Sequence, residues 1–181
     1  MTTYIGLLRA VNLAGYNKVS MRDLSEMLTA LGMQDGRTLL QSGNVVFRSD
    51  ISKATHLERL LEEAAEERLG IKTDFFVRAV RDWQDIIAGN PFTEEAERDP
   101  GHLLVMCLKA APDRADVEAL QKAIKGREVV QTKGRHAYFV YPDGVGRSRL
   151  TNVLIEKKLG TRGTARNWNT VLKLGALAEQ L

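Results

Sequence analysis

The stretch RTLLQSGNVVFR, residues 37–48, decides the predicted fold because it places a hairpin in the middle of a longer pattern. Residues 37–41 and 44–48 are short runs typical of strands, and Ser42 and Gly43 lie between them. Glycine adopts the positive φ that a tight turn demands, so these residues predict two antiparallel strands joined by a turn.

The segments on either side of this hairpin each add a strand and a helix. Residues 4–11 form an apolar run typical of a buried strand, and Ser20 then stands at the N-cap position of a helix that Gly32 ends. After the hairpin, a second amphipathic helix ends at Gly70, and residues 72–80 read as a strand. The predicted order is βαββαβ, the ferredoxin-like split βαβ.

The second half of the chain repeats this order. Residues 102–109 are a strongly apolar strand, a second hairpin turns near residues 133–135, and a helix ends at Gly160. A short last strand near 161–165 has weaker support, and a helix beginning at Thr164 or Asn167 ends the chain. The predicted fold class is α+β, with two tandem ferredoxin-like βαββα(β) units, the second degenerate, and a C-terminal helix.

Three segments follow from this pattern. Residues 1–80 are predicted as a ferredoxin-like subdomain, 81–101 as a short helix and linker, and 102–181 as a second α+β subdomain. The acidic stretch TEEAERDPG at 93–101 supplies the linker.

The composition is that of a soluble protein, and its charge is uneven. No apolar run reaches the ~20 residues of a membrane span, and the sequence starts without a cleavable signal pattern, which predicts a cytoplasmic protein without membrane contact. Residues 1–109 carry a net charge of −3 and residues 110–181 a net charge of +6. The basic half indicates either a phosphorylated or nucleic-acid partner, or a solvated basic face.

Metal and nucleophile chemistry have little support. His56, His102 and His136 are widely separated, and Cys107 lies in the apolar run LLVMCL, where we expect a buried and inert thiol. We therefore predict no metal site and no cofactor. The glutamates of residues 58–67 are interpreted as solvated charge.

Polar residues that interrupt apolar segments are the candidates for a binding site. A strand followed by a Gly-containing loop and a helix start can hold an anion through backbone N–H groups and a nearby lysine. The same residue types also lock turns and cap helices, and that alternative stays open. The predicted ligand-binding residues are Arg9, Asn12, Lys18, Asn44, Arg166 and Asn167.

Four strings together resemble a known bacterial family. LLRAVNLAGYNKVSM, LLQSGNVVFRS, NPF and TARNWNTVLKL are similar, over essentially the whole chain, to the domain-of-unknown-function family numbered 1697. Ala10 and Ala14 stand where the family usually has glycine. The resemblance implies an α+β fold with a ferredoxin-like first part, and implies no activity, substrate or cofactor.

Three function classes follow. The first is a cytosolic binding protein for an anionic ligand, either phosphate-bearing or nucleic acid. The second is a metal-independent enzyme using the same Arg/Asn cluster, although no general base is identifiable. The third is a protein-interaction module, which would carry a large exposed apolar patch. The sequence leaves the oligomeric state open.

Overall fold

A computed structural model describes residues 1–9, 18–40 and 42–181. The strands are β1 (Thr2–Leu8), β2 (Gln34–Leu39), β3 (Asn44–Ser49), β4 (Phe75–Ala79), β5 (Leu103–Leu108), β6 (Val129–Lys133), β7 (His136–Val140) and β8 (Gly163–Asn167). The helices are α1 (Met21–Ala30), α2 (Ala54–Leu69), α3 (Val80–Ala88), α4 (Thr93–Arg98), α5 (Arg114–Ala123), α6 (Asn152–Leu159) and α7 (Trp168–Glu179). The predicted α+β class is confirmed.

Two compact units divide the chain. The first comprises residues 1–85 and 173–181, and the second comprises residues 86–172. The boundary lies within α3, five residues beyond the predicted end of the first subdomain at residue 80. The end of α7, which the sequence pattern places with the second half, groups with the first unit.

The first unit is an antiparallel sheet in the order β2-β3-β1-β4, with α1 and α2 packed on one face. Tyr4 and Phe47 stack on that face, with ring centroids 5.8 Å apart, among buried leucines of both helices. Gly6 lies on the same face, opposite Val45 and Val77 of the neighbouring strands, and a Cβ there would come within 2.9 Å of Val45 Cγ2. Glycine here lets strands β3, β1 and β4 pack without a side chain in the way.

The outer edge of β4 is covered by carboxylates of α2. Glu62 Oε1 accepts a hydrogen bond from the Phe75 amide at 2.9 Å, and Glu58 Oε1 accepts one from the Val77 amide at 2.9 Å. Glu58 is 4% exposed, so the interpretation as solvated charge is wrong for this residue, whereas Glu63, Glu66 and Glu67 are exposed. A helix that carries acceptors four residues apart can satisfy alternate N–H groups of an edge strand.

The second unit has the same construction, with strand order β6-β7-β5-β8 and α5 and α6 on one face of the sheet. Its core includes Met106, Leu108 and Phe139. The short last strand is present as β8, so this unit carries all six elements of the βαββαβ order. Gly163 lets β8 approach β5, because a Cβ there would lie 2.8 Å from the Cys107 carbonyl oxygen.

The acidic stretch predicted as a linker contains α4 instead. Glu94 and Glu95 lie in its first turn and Arg98 in its last, where each complements the helix dipole. Glu94 and Arg98 also form an i,i+4 ion pair at 2.7 Å. A polar segment can thus be helical without a buried face.

No helix in the described part of the chain combines the length and apolarity needed to cross a membrane.

Candidate functional site

The predicted site residues of the first unit have separate roles. Arg9 follows β1, where its guanidinium lies 3.9 Å from the Asp74 carboxylate, and its carbonyl oxygen accepts a 2.6 Å hydrogen bond from Thr73. Asn12 lies outside the described residues. Arg9 thus has a structural role at the end of the β1–β4 ladder.

Asn44 closes the first hairpin. It is fully buried, and its Nδ2 donates to the Leu39 carbonyl oxygen at 2.9 Å and to Ser42 Oγ at 2.8 Å. These bonds span a loop in which Leu40 has φ 61°, a left-handed conformation that is uncommon outside glycine. The side chain serves the turn, which is the alternative that the sequence left open.

Lys18 lies on the other side of the same sheet. It is exposed and lines a cavity of about 540 Å³ beside α1 and the end of α2, together with Met27 and Arg68. Asn44 precedes Val45, whose side chain is in the core under those helices, so strand alternation puts Asn44 on the opposite face. The structure therefore does not bring Lys18 and Asn44 onto one surface.

In the second unit, Asn167 caps α7 and Arg166 lies in β8. Asn167 Oδ1 accepts from the Thr170 amide at 3.0 Å, as an N-cap does. Arg166 Nη1 donates to Thr164 Oγ1 at 2.8 Å and to the Ala165 carbonyl oxygen at 2.9 Å. Burial lowers the pKa of the Arg166 guanidinium to about 10. A charged group whose pKa is shifted by burial is a candidate for a functional site.

Arg166 belongs to a set of polar side chains on one face of the second sheet. Met106, Leu108 and Phe139 face the helices, so the residues that alternate with them face the other way. We call this set the polar face; it consists of Cys107, Lys109, His136, Tyr138, Arg162, Thr164 and Arg166.

The strand register makes His136 and Thr164 direct neighbours of Cys107. His136 is its partner on β7 and Thr164 its partner on β8. The Leu108 amide donates to the Arg135 carbonyl oxygen, so the next pair, Cys107 and His136, shares no backbone hydrogen bond. In antiparallel strands the Cα atoms of such a pair lie about 4.5 Å apart. Sequence spacing gave no sign of this, because 28 residues separate the two.

Tyr138 positions the histidine from the buried side. Its hydroxyl donates to the Ile86 carbonyl oxygen at 2.6 Å and lies 3.3 Å from His136 Nε2, with the rings edge-on. Burial raises the pKa of Tyr138 to about 12, and the nearby Cys107 contributes in the same direction. The phenol therefore stays neutral at physiological pH.

Positive charge lies on both sides of the Cys107–Thr164 pair of the polar face, with Lys109 and Arg162 at one end and Arg166 at the other. The Lys109 amide donates to the Arg162 carbonyl oxygen at 3.0 Å. This hydrogen bond extends the β5–β8 ladder by one residue beyond the ends of both strands. Arg162 is exposed, Lys109 and Arg166 are half-buried, and Thr164 is buried. Cations thus lie on either side of a buried hydroxyl and thiol, an arrangement that suits an oxyanion. Among the described residues, no cluster of three or more His, Cys, Asp or Glu side chains could hold a metal.

The sequence is similar to those of one protein family. Residues 1–138 match the family described as a protein of unknown function (DUF1697). The chain belongs to this family. No curated protein matches the sequence.

This DUF1697 member is also similar to a solved structure. The conserved bacterial protein SP0830 from Streptococcus pneumoniae is 25% identical, with a TM-score of 0.74 over 98% of both chains. The family match ends at residue 138, so it includes His136 and Tyr138 and stops before β8. The β8 part of the polar face lies outside the matched residues.

Proposed function

We propose that this protein is a cytoplasmic bacterial binding protein whose polar face takes a phosphate-bearing ligand. The observation that carries the proposal is the register that places Lys109, Arg162 and Arg166 on one side of two hydrogen-bonded strands. Phosphate oxygens are strong acceptors, and arginine offers paired donors that match them.

The polar face supplies oriented hydrogen-bonding groups as well as positive charge. The Thr164 hydroxyl already accepts from Arg166, so it fixes the guanidinium and can turn its own proton towards a ligand oxygen. His136, half-buried beside Cys107, adds an imidazole whose ring nitrogens can donate to or accept from a ligand. One exposed and two half-buried cations thus lie on the same face as the Thr164 hydroxyl and the His136 imidazole.

The dimensions favour a compact ligand. The three strands that carry the polar face, β7, β5 and β8, span about 10 Å at ordinary strand spacing. Such a width suits one or two phosphate groups of a small molecule better than an extended nucleic-acid strand. Lys109 and Arg162 would contact the exposed part of the ligand, and Arg166 its most buried oxygen.

A ligand screen with matched variants tests the proposal. Thermal unfolding and titration calorimetry are measured with inorganic phosphate, sugar phosphates, nucleoside phosphates, and short RNA and DNA. A true ligand at 100 times its Kd stabilises by about 2.7 kcal/mol, a rise in Tm of roughly 5–10 °C.

The variants Arg166→Gln and Arg114→Gln separate a site from general charge. Both remove one positive charge from the second unit, but the Arg114 side chain is 94% exposed and paired with Glu118 on α5. We expect Arg166→Gln to abolish the ligand-induced shift and Arg114→Gln to preserve it. Equal losses in both variants, or a shift with nucleic acids alone, would contradict a compact phosphate site.

A further inference from the structure

The first unit contains a cavity of about 540 Å³ between the start of α1 and the end of α2. This volume lies within the range of about 300–1,000 Å³ that small-molecule sites occupy. Asp23, Met27 and Ala30 line it from α1, at the four- and three-residue spacing that puts them on one face of the helix. Lys18 lines it from the segment before α1, and Arg68 from the last turn of α2. The cavity therefore joins side chains of three separate segments.

The deepest part of this lining is apolar. Val19 is 6% exposed and Met27 is 2% exposed, and both side chains belong to the core of the first unit. Methionine has a flexible and polarizable side chain, which adapts to apolar groups of different shape. The cavity can therefore bury one apolar group of a ligand against these two residues.

The outer part of the lining carries charges of both signs. Lys18 and Arg68 are positive, Asp23 and Glu26 are negative, and all four residues are exposed. Glu26 already pairs with Arg22, whose Nε lies 2.9 Å from Glu26 Oε1. The side chains of Lys18, Asp23 and Arg68 form no hydrogen bond or ion pair with another described residue. Two cations and one carboxylate are thus available to a ligand.

Ligands with a single sign of charge suit this lining poorly. An inorganic anion would be attracted by Lys18 and Arg68 but repelled by Asp23 and Glu26, and a polyamine would meet the reverse. A ligand that carries both signs, each beside its counterpart, avoids both repulsions.

We propose that this cavity binds a zwitterion with an apolar side chain, either a free amino acid such as leucine or a dipeptide of apolar residues. The ligand carboxylate contacts Arg68 and Lys18, its ammonium group contacts Asp23, and its side chain packs on Met27. Arginine offers paired donors to a carboxylate, and charge-assisted hydrogen bonds are roughly twice as strong as neutral ones. The site uses the first unit alone and does not depend on the proposed phosphate site.

Titration calorimetry of the full chain with leucine and three analogues tests which ligand groups matter. Leucinamide lacks the carboxylate, isocaproate lacks the ammonium group, and serine lacks the apolar side chain. We expect each analogue to bind at least about tenfold more weakly than leucine, because each loses one set of contacts.

Leucyl-leucine distinguishes the two sources of this chemistry. Tighter binding of leucyl-leucine than of leucine would identify a dipeptide as the ligand, and the reverse order would identify a free amino acid. Serine binding as tight as that of leucine, or no binding of either leucine or leucyl-leucine, would overturn the proposal.

Two substitutions assign each ligand charge to its partner. Asp23→Asn should weaken leucine binding at least about tenfold and leave isocaproate binding unchanged, because isocaproate has no ammonium group. Arg68→Gln should weaken leucine binding to a similar extent and leave leucinamide binding unchanged. Asp116→Asn and Arg59→Gln are the matched controls, since Asp116 lies in the first turn of α5 and Arg59 is exposed on α2. Both controls should bind leucine as the wild type does.

The methyl resonance of Met27 reports where the ligand binds. Leucine should shift this signal in the wild type and in both controls. Equal weakening of leucine and isocaproate by Asp23→Asn, or leucine binding that leaves the Met27 signal unmoved, would overturn the proposal. These measurements use no phosphorylated ligand, so their outcome is independent of the phosphate screen.

Discussion

Cys107 lies opposite His136 in a pair of the β5–β7 ladder that shares no backbone hydrogen bond. The thiol is completely buried, whereas the imidazole is half-buried. A thiol beside a histidine is a combination that enzymes use for nucleophilic catalysis. Here the burial of the sulfur opposes that use, because a nucleophile must reach its substrate.

The first prediction concerns this thiol. In the folded protein we expect a soluble thiol reagent to label Cys107 at least about a thousandfold more slowly than in denaturant, because access requires unfolding that costs several kcal/mol. The rates are measured by mass spectrometry at several reagent concentrations. Rapid labelling under native conditions would show that the sulfur becomes accessible and would favour the enzyme alternative.

The second prediction concerns the buried pair of Glu58 and Arg78. Glu58→Gln should destabilise the protein by about 3–5 kcal/mol, because it leaves the Arg78 charge buried without its carboxylate. The double variant Glu58→Gln, Arg78→Met should recover a large part of that loss, since both charges are then absent. Urea unfolding of the four proteins in this cycle gives the coupling energy directly. Additive losses would mean that the two side chains do not depend on each other.

The third prediction concerns the approach of β8 to β5. Gly163→Ala would place a Cβ 2.8 Å from the Cys107 carbonyl oxygen and from side-chain atoms of Met106 and Leu108. We expect a loss of about 1–3 kcal/mol from overpacking, and weaker ligand binding because Arg166 moves with the strand.

Gly146→Ala is the matched control for that change. No atom lies within 4 Å of a Cβ at Gly146, and both glycines are in the second unit. Its free energy of unfolding should stay within about 0.5 kcal/mol of that of the wild type. Equal stability of the two variants would show that β8 can shift to accept a side chain.

Local patterns in the sequence predicted most of the fold. Ser42, Gly43 and Asn44 predicted the first hairpin, and Asn167 predicted a helix start, because turns and caps depend on residues that are neighbours in the chain. These features need no knowledge of how distant segments pair.

The candidate site depends on distant pairings, and the sequence showed little of it. His136 and Thr164 reach Cys107 through the register of three strands, which no local pattern specifies. Glu58 looked like one of several solvated glutamates because its acceptor role depends on where β4 lies relative to α2. Of the five predicted ligand residues that the structure describes, Arg166 alone lies in the polar face, and its position just before a helix start was the available signal.

The last prediction concerns alkaline stability. Burial raises the pKa of both Tyr138 and Tyr141 to about 12, from the ordinary value of 10. A raised pKa in the folded state means that the folded protein holds its phenolic protons more tightly than the unfolded chain does. The stabilisation is therefore fully present below pH 10 and is lost as the pH rises from 10 to 12, by about 2 kcal/mol for each tyrosine.

Tyrosine-to-phenylalanine variants isolate the effect. Tyr138→Phe and Tyr141→Phe each lose one hydrogen bond, to the Ile86 and Leu150 carbonyl oxygens, so each should be about 1 kcal/mol less stable than the wild type at pH 8. Above pH 10 their stability should fall less steeply, so that each variant approaches and then exceeds the wild type. Urea unfolding across this pH range, with phenolate absorbance as the titration signal, measures both quantities. Parallel curves for the wild type and the variants would mean that neither phenol holds its proton more tightly in the folded state.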